Sequence, residues 1–244
     1  MPEAARNYSA PSGDAPRVET LPPQKSVTRE YVEAFGIALI LALVIRTFFI
    51  QAYKIPSGSM ESTLLIGDHI IVNKLVYGLR MPDSIFGLTP LANTIPYGKY
   101  LFQLEPVRRG DVVVFVYPED PTKDFIKRVV AIPGDTIEVK EGQLYLNGSL
   151  VQPPPGTHYE VPPDQRENSP RDIHEPLKLE PGQYFMMGDN RDRSYDSRFW
   201  GPITRDAIEG RATFIYWSCA GGEDSPWIQC LYDVRWSRLF DAVR

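Results

Sequence analysis

The sequence has few of the residues that usually hold a metal or a cofactor. Its 244 residues include two cysteines, Cys219 and Cys230, and three histidines. Two cysteines are too few for a disulfide scaffold and for a cysteine-based zinc site. They could form a bridge in an oxidising compartment, or remain two thiols in the cytosol, and the sequence leaves both alternatives open. We expect neither a metal nor another cofactor.

The sequence also has no excess of basic residues and no internal repeat. The formal net charge is -5 and the sequence pI is about 5.3, so the chain lacks the electrostatic footprint of a nucleic-acid-binding protein. With 43% hydrophobic residues, the chain is long enough for one sizeable globular domain. Its 23 prolines and 18 glycines indicate many loops and turns rather than a helical bundle.

One apolar segment stands out near the N-terminus. Residues 1–30 are polar and rich in proline and serine, which predicts a disordered tail, placed on the cytoplasmic side. Residues 34–45 carry no charge, and a helix extended to residue 50 would be about 25 Å long. A cleaved signal peptide would need small residues after this segment, and a buried helix would show a polar face. We therefore predict an uncleaved, single transmembrane anchor over residues 31–53.

The rest of the chain, residues 54–244, is predicted to be a mainly β domain. Short apolar or β-branched runs bounded by Gly, Pro and Asn favour strands, and an extended loop or hairpin is expected within residues 78–108. A proline-rich loop or subdomain is expected as an insert over about residues 142–184. The predicted strands cover residues 68–72, 111–117, 125–132, 136–139, 144–146, 184–187 and 203–216.

The segment Ile-Pro-Ser-Gly-Ser-Met at residues 55–60 follows the apolar run. Pro56 fixes its own φ, and we expect Gly58 to adopt a backbone conformation that a Cβ would forbid. A rigid entry before a permissive turn is suited to presenting one serine for chemistry. The alternative is a loop that only connects two elements.

Lys127 lies in the predicted strand 125–132 and shares a face with Phe125, while Arg128 lies on the other face. Such a lysine either extends to water or is desolvated. Burial would lower its pKa, and a neutral amine beside a serine is a general base. Further along, the aspartates and arginines of residues 188–200 lack the spacing of a calcium loop, so we expect an Asp/Arg network that braces a site.

Taken together, four segments resemble the type I signal peptidases, the membrane-bound serine proteases that remove signal peptides from exported proteins. The resemblance covers about residues 35–218, and it depends on all four segments occurring in the order found in that family. The segments are residues 55–60, Arg-Gly-Asp-Val-Val at 109–113, Ile-Lys-Arg-Val at 126–129 with Pro-Gly-Asp at 133–135, and Gly-Asp-Asn-Arg-Asp at 188–192 continuing to Arg198.

The resemblance implies a role for each matching residue. Ser59 would be the nucleophile and Lys127 the general base. Ser57 and the backbone N–H of Ser59 would form the oxyanion hole, and Ser194 would orient the lysine amine. Supporting residues would be Asp189, Asp196 and Arg198, and the pockets for small side chains would be lined by Ile55, Pro56, Met60, Leu64, Phe125 and Ile126. Arg193 replaces an asparagine that is frequent in the family.

The same resemblance implies a signal-peptidase-type antiparallel β domain and cleavage after small residues through an acyl-enzyme. Its partners would be the signal peptides of exported preproteins and membrane lipid, with no nucleic acid, and the protein would be a monomer. It would be a single-pass protein of the inner or cell membrane, with the catalytic domain on the outer face.

Three alternatives have different chemistry. A Ser-His-Asp triad would use His69, His158 or His174. A self-cleaving repressor would use the Ser-Lys pair but needs a DNA-binding domain where this chain has its apolar segment. A catalytically inactive, membrane-tethered peptide-binding module would not need both Ser59 and Lys127.

Overall fold

The computed structural model describes residues 26–81, 99–162, 171–220 and 229–244. The chain divides into two units, residues 1–40 and 41–244. The described part of the first unit is helical and belongs to helix α1, Val27–Phe48. At 22 residues this helix is about 33 Å long. It is long and apolar enough to cross a membrane, and it buries none of its residues.

The helix begins and ends earlier than the anchor predicted over residues 31–53. Ser26 accepts backbone hydrogen bonds from Arg29 and Glu30, which starts the helix at Val27. After Phe48 the chain enters strand β1, Ile50–Lys54. These residues leave the helix because their backbone groups pair antiparallel with the next strand.

The second unit is built from strands, with helices of one turn between them. The elements that follow β1 are β2 Asp68–Asn73, β3 Gly78–Arg80, β4 Tyr100–Gln103, β5 Val112–Val116, β6 Asp124–Ala131, β7 Thr136–Lys140, β8 Gln143–Leu146, β9 Ser149–Leu150, β10 Ile173–Lys178, β11 Gln183–Met187, α2 Ser197–Trp200, β12 Ile203–Thr204, β13 Ile208–Ser218 and α3 Gln229–Tyr232. The prediction of a mainly β fold after an apolar helix is confirmed.

The main sheet has seven strands in the order β1-β2-β13-β5-β6-β11-β12, and its neighbours pair antiparallel. Strand β5 is buried on both faces. Val112 and Val114 pack in one apolar cluster with Ile70, whereas Val113 and Phe115 pack in another. This explains the unbroken apolar run of β5, since both sides of the strand face a core.

A second sheet, β10-β7-β8-β9, contains strands from the predicted insert. Strands β8, β9 and β10 fall within residues 142–184, but β7 precedes that range. The predicted insert therefore shares a sheet with the preceding part of the domain. Of its proline-rich stretch, residues 163–170 lie outside the described residues.

The loop or hairpin expected within residues 78–108 contains the pair β3-β4, and residues 82–98 lie outside the described part of the chain. Gly78 has a φ of +126°, and a Cβ there would lie 2.0 Å from the carbonyl oxygen of Phe102. Only glycine can occupy this crossing, because any side chain would collide with the opposite backbone.

The C-terminal segment returns to the main sheet. Cys219 and Cys230 are joined by a disulfide, so the pairing that the sequence left open is formed. After a short 3-10 helix at Trp236–Arg238, the N–H of Val243 donates to the carbonyl of Thr213. The last residues thus lie along β13.

Candidate active site

Ser59 lies in a one-turn 3-10 helix, Gly58–Met60, that directly follows β1 and Pro56. Ser57 precedes the turn in an extended conformation and makes no capping hydrogen bond. The φ of Gly58 is not positive, so the prediction that Gly58 adopts a backbone conformation forbidden to other residues is wrong. A Cβ at Gly58 would instead lie 3.1 Å from a carboxylate oxygen of Glu61. Ser59 itself is 8% exposed.

Lys127 reaches this serine from strand β6. Its Nζ lies 2.7 Å from Ser59 Oγ and 2.9 Å from the backbone carbonyl of Ile126. The side chain shares a face with Phe125, and Nζ lies 5.4 Å from the centre of that ring. Only 4% of Lys127 is exposed. The two residues predicted to form a catalytic dyad are therefore in contact and shielded from water.

Burial lowers the pKa of Lys127 to about 8, because the desolvated ammonium is disfavoured relative to the neutral amine. The negative charges of Asp196 and Asp189 oppose this effect and raise the pKa. The lysine is a base that is partly neutral near physiological pH, as proton abstraction from a serine requires.

Gly188 allows the turn that carries Ser59 to lie close to Ser194, which follows in the charged segment of residues 188–200. A Cβ on Gly188 would lie 2.2 Å from Ser194 Oγ and 2.4 Å from the carbonyl oxygen of Ser59. Ser194 Oγ is buried and has no hydrogen-bond partner among the described residues. The structure thus brings Ser194 beside Ser59, but the implied hydrogen bond from Ser194 to Lys127 is not formed.

Asp196 and Arg198 form a buried ion pair behind Gly188. Arg198 Nε and one terminal nitrogen each lie 2.8 Å from an Asp196 carboxylate oxygen, and the backbone N–H of Gly188 donates to the same carboxylate at 3.0 Å. Burial alone would raise the pKa of Asp196, but the guanidinium and these hydrogen bonds outweigh it, so the pKa is lowered. Arg198 also donates to the carbonyl of Arg191 at 2.7 Å.

A second buried ion pair joins β6 to the same segment. Arg128 Nε and a terminal nitrogen lie 2.7 and 2.6 Å from the two carboxylate oxygens of Asp189. Thr63 Oγ1 donates to Asp189 at 2.5 Å, and Arg128 also donates to the carbonyl of Gly110 at 2.8 Å. Neither Arg128 nor Thr63 had a predicted role in the site. Arg128 could have been found from its position on the face opposite Lys127, whereas nothing in the sequence indicates Thr63.

The residues predicted to line the substrate pockets fall into two groups. Ile55, Met60 and Leu64 are at most 2% exposed and belong to one apolar cluster, with Ile126 packed against it. Pro56 is exposed, and Phe125 is half-buried against a different cluster. The first three can only form the floor of a pocket, while Pro56, Phe125 and Ile126 retain surface that a ligand can touch.

Beside Lys127, one edge of β6 is unpaired among the described residues. Strand β5 pairs with β6 over residues 124–128. On the other side, β11 pairs only with residues 128–131. No strand among the described residues pairs with the β11 side of residues 124–127, and an open sheet edge of this kind is where extended peptides bind.

The histidines do not form a triad in the described residues. His69 lies in β2 opposite Lys54 and Trp217, and burial lowers its pKa. His158 is exposed and pairs through its backbone with Asn190. No hydrogen bond joins either side chain to Ser59 in the described part of the chain, and the side chain of His174 lies outside it.

Comparisons with known proteins agree with these observations. A family model described as signal peptidase, peptidase S26, matches residues 28–217. A signal peptidase I of Pseudomonas aeruginosa is 40% identical over 190 residues, covering 70% of this chain and 62% of that protein. The match thus spans less than two thirds of that relative. A signal peptidase I of Pseudomonas fluorescens is 34% identical over 218 residues, covering 78% of this chain and 72% of that protein.

Among solved structures, a signal peptidase I of Enterococcus faecalis is 28% identical. The similarity covers 44% of this chain and 97% of that one, with a TM-score of 0.38, which is too low to bear on the fold.

Proposed function

The chain belongs to the signal peptidase family, peptidase S26, and on this premise we propose that it is a membrane-anchored serine endopeptidase that removes signal peptides from exported preproteins. The observation that carries the proposal is the 2.7 Å contact between Lys127 Nζ and Ser59 Oγ. Both groups are buried, so the amine can be neutral when substrate arrives.

In the first step, Lys127 accepts the hydroxyl proton as Ser59 Oγ attacks the carbonyl carbon of the scissile peptide bond. The negative charge that develops on the carbonyl oxygen needs preorganised donors. The N–H of Ser59 lies in the first turn of its helix, where backbone donors lack intrahelical partners. The Ser57 hydroxyl, which makes no capping hydrogen bond, would be the second donor.

The tetrahedral intermediate then collapses to an acyl-enzyme. The ammonium of Lys127 returns its proton to the leaving amine, so that the mature protein departs with a neutral amino group. Lys127, again neutral, takes a proton from water as the water oxygen attacks the acyl carbon. The ammonium then returns this proton to Ser59 Oγ as the ester bond breaks, which releases the signal peptide with a C-terminal carboxyl group and regenerates Ser59.

Substrate selection would follow from the edge of β6 and the residues beside it. An extended peptide paired with residues 124–127 would lie next to Lys127. The exposed surfaces of Pro56, Phe125 and Ile126 would contact its side chains above a closed floor of Ile55, Met60 and Leu64. Because that floor is part of the packed core, only small side chains would fit near the scissile bond.

The two ion pairs would not contact the substrate; they would fix the positions of residues that do. Asp196 with Arg198 and Asp189 with Arg128 hold the segment that begins at Gly188. That segment carries Ser194, whose buried hydroxyl would hydrogen-bond the amine of Lys127 once the proton has moved. Each pair is nearly fully buried, so loss of one partner would leave an uncompensated charge.

We further propose a single-pass topology, in which α1 crosses the membrane, the polar N-terminal tail is cytoplasmic and the catalytic unit faces outward. Basic residues flank the helix on both sides, so charge does not orient it. The disulfide between Cys219 and Cys230 supports the outward placement of the catalytic unit, since such bonds persist in oxidising compartments.

The test is cleavage of a purified preprotein by the full chain and its variants. Ser59→Ala and Lys127→Ala should each reduce cleavage by at least about a thousandfold, because each removes the nucleophile or its base. Ser149→Ala and Lys178→Ala, at exposed positions, are the matched controls and should cleave as the wild type does. Full activity in either dyad variant would refute the mechanism.

The inactive peptide-binding module predicts a different result in the same assay. It would bind the preprotein, and Ser59→Ala would not change the outcome because the wild type would cleave nothing. Cleavage that needs an intact His69 or His158 would instead revive the triad.

A further inference from the structure

Four aromatic side chains form a continuous row that leads away from the catalytic pair. We call Phe125, Tyr117, Tyr195 and Phe199 the aromatic row. Phe125 stacks on Tyr117 with ring centres 4.3 Å apart and planes 10° from parallel. Tyr117 meets Tyr195 edge-on at 6.4 Å, and Tyr195 stacks on Phe199 at 5.0 Å.

The row passes from the interior to the surface. Tyr117 is 8% exposed, whereas Tyr195 is 46% and Phe199 is 42% exposed. Glu119 accepts hydrogen bonds from the hydroxyls of both Tyr117 and Tyr195. Rings held by stacking and by a shared acceptor lose little conformational entropy on binding, so they are efficient anchors for an apolar group.

The aromatic row lies beside the catalytic pair and the unpaired edge of β6, where a substrate would bind. Phe125 lies beneath the amine of Lys127, and Tyr195 directly follows Ser194. The unpaired edge of β6 runs from Asp124 to Lys127. Tyr117 follows β5 and its ring packs on Phe125, near the start of that edge. The ring of Tyr195 packs in turn on Tyr117. A peptide paired along the edge would pass from Lys127 to the exposed rings.

We propose that Tyr195 and Phe199 determine specificity by binding the last large apolar side chain of the signal peptide's hydrophobic run. The inference rests on the proposed function. A signal peptide has an apolar run of about 7–15 residues followed by small residues at the cleavage site. The small residues match the closed floor beside Ser59, and the end of the apolar run matches the exposed rings. The mature part of a preprotein has no such required apolar segment.

The experiment compares two synthetic peptides with the same small residues at the cleavage site. In one peptide the preceding run ends in leucines, and in the other these leucines are replaced by serines. The specificity constant kcat/KM is measured for the wild-type full chain, for Tyr195→Ala, and for the double variant Tyr195→Ala with Phe199→Ala. Tyr232→Ala is the matched control, since Tyr232 is 85% exposed and lies outside the row.

We expect the wild type to prefer the leucine peptide. The double variant should lose about tenfold in kcat/KM on that peptide, the usual size of discrimination by an apolar pocket. Its rate on the serine peptide should not change, which also shows that the variant is folded and that its dyad is intact. Tyr195→Phe, which keeps the ring, should retain the preference, and Tyr232→Ala should behave as the wild type.

Two results would overturn the inference while leaving the proposed function in place. An unchanged leucine preference in the double variant would show that the rings do not bind substrate. An equal loss on both peptides would show that they only support Lys127. Failure of the wild type to cleave either peptide would instead refute the proposed function itself.

Discussion

At the scale of single residues, the site depends on a lysine that is held in an unfavourable environment. Lys127 is 4% exposed, and the carboxylates of Asp189 and Asp196 only partly offset the loss of water. The protein accepts a desolvated amine because its lone pair, unlike an ammonium, can accept the proton of Ser59.

The first prediction concerns the pH dependence of cleavage. In the proposed mechanism only the neutral amine is active, and the pKa of Lys127 is about 8. Cleavage should therefore rise as the pH rises through about 8 and level off above it, falling about tenfold for each pH unit below. The measurement is kcat/KM of the wild type on a soluble peptide across this range. A profile that is flat through pH 8 would contradict the role of Lys127.

The second prediction concerns stability. The folded pKa of Lys127 is about 8 and lies below its unfolded value of about 10.4, so burial of the ammonium destabilises the folded state at neutral pH. Lys127→Met should raise the free energy of unfolding by roughly 3 kcal/mol at pH 7 while abolishing cleavage. The gain should be full below about pH 8 and disappear as the pH approaches 10.4, because the unfolded lysine is then also neutral.

Denaturant unfolding of both proteins at two pH values provides this measurement. A lower stability of Lys127→Met at neutral pH would show that the amine is not desolvated. Ser149→Ala, at an exposed position, is a control for the effect of substitution alone.

Part of the residue set could be predicted and part could not. Ser59, Lys127 and the pair of Asp196 with Arg198 follow from local segments, and the structure brings them together. The contacts of Arg128 with Asp189 and Thr63 join positions more than sixty residues apart. No local pattern indicates these contacts, whereas the contact of Ser59 with Lys127, which are 68 residues apart, was implied by the family resemblance.

At the scale of secondary structure, the pattern of apolar residues predicted strands correctly where the strands are long and have both faces buried. The alternation in β6 correctly separates Lys127 from Arg128, and the apolar run of β5 correctly predicts a buried strand. Strand β1 was not predicted, since its first residues continue the apolar segment of α1 and only pairing with β2 distinguishes them. Propensity alone does not decide between the two states in such a run.

The C-terminal segment is tied to the main sheet by a buried carboxylate. Asp68 is fully buried and accepts from a terminal nitrogen of Arg238 at 2.6 Å. It also accepts from Ser218 Oγ at 2.6 Å and from the N–H of Leu65 at 2.8 Å. Arg238 in turn donates to the carbonyl of Thr63 at 2.9 Å, so the segment is linked to the turn that carries Ser59.

The third prediction tests this link. Arg238→Ala should lower the free energy of unfolding by about 2 kcal/mol, because it leaves the buried charge of Asp68 short of a partner. The matched control is Arg193→Ala, which removes an ion pair with Glu160 whose side chains are 68% and 40% exposed; it should change stability by less than about 1 kcal/mol. Equal effects of the two substitutions in a denaturant titration would contradict the prediction.

At the scale of the whole molecule, helix α1 and the strands that follow it have opposite surface character. Helix α1 exposes large apolar side chains, among them Phe35, Ile37 and Leu41, along its length. The strands after it contribute apolar side chains to three buried clusters. The change from an apolar helix to a β-rich region could be predicted because composition changes sharply between them, whereas the end of the helix depends on the pairing of β1.

The fourth prediction concerns membrane association. The full chain should remain in the membrane pellet after alkaline carbonate extraction, because an exposed apolar helix of this length is stable only in lipid. A chain that begins at Phe49 keeps all of β1 and should remain in the supernatant. Recovery of the full chain in the supernatant would refute the transmembrane assignment.

The bond between Cys219 and Cys230 has a consequence for where this protein can mature. The cysteines leave the ribosome as thiols, and glutathione and thioredoxin keep them so in the cytosol. The segment after the bond carries Arg238, which contacts the turn of Ser59 through Thr63. With the proposed outward placement of the catalytic unit, oxidation after export would be a maturation step for the enzyme itself, and a newly made chain would reach its final form only after crossing the same barrier as its proposed substrates.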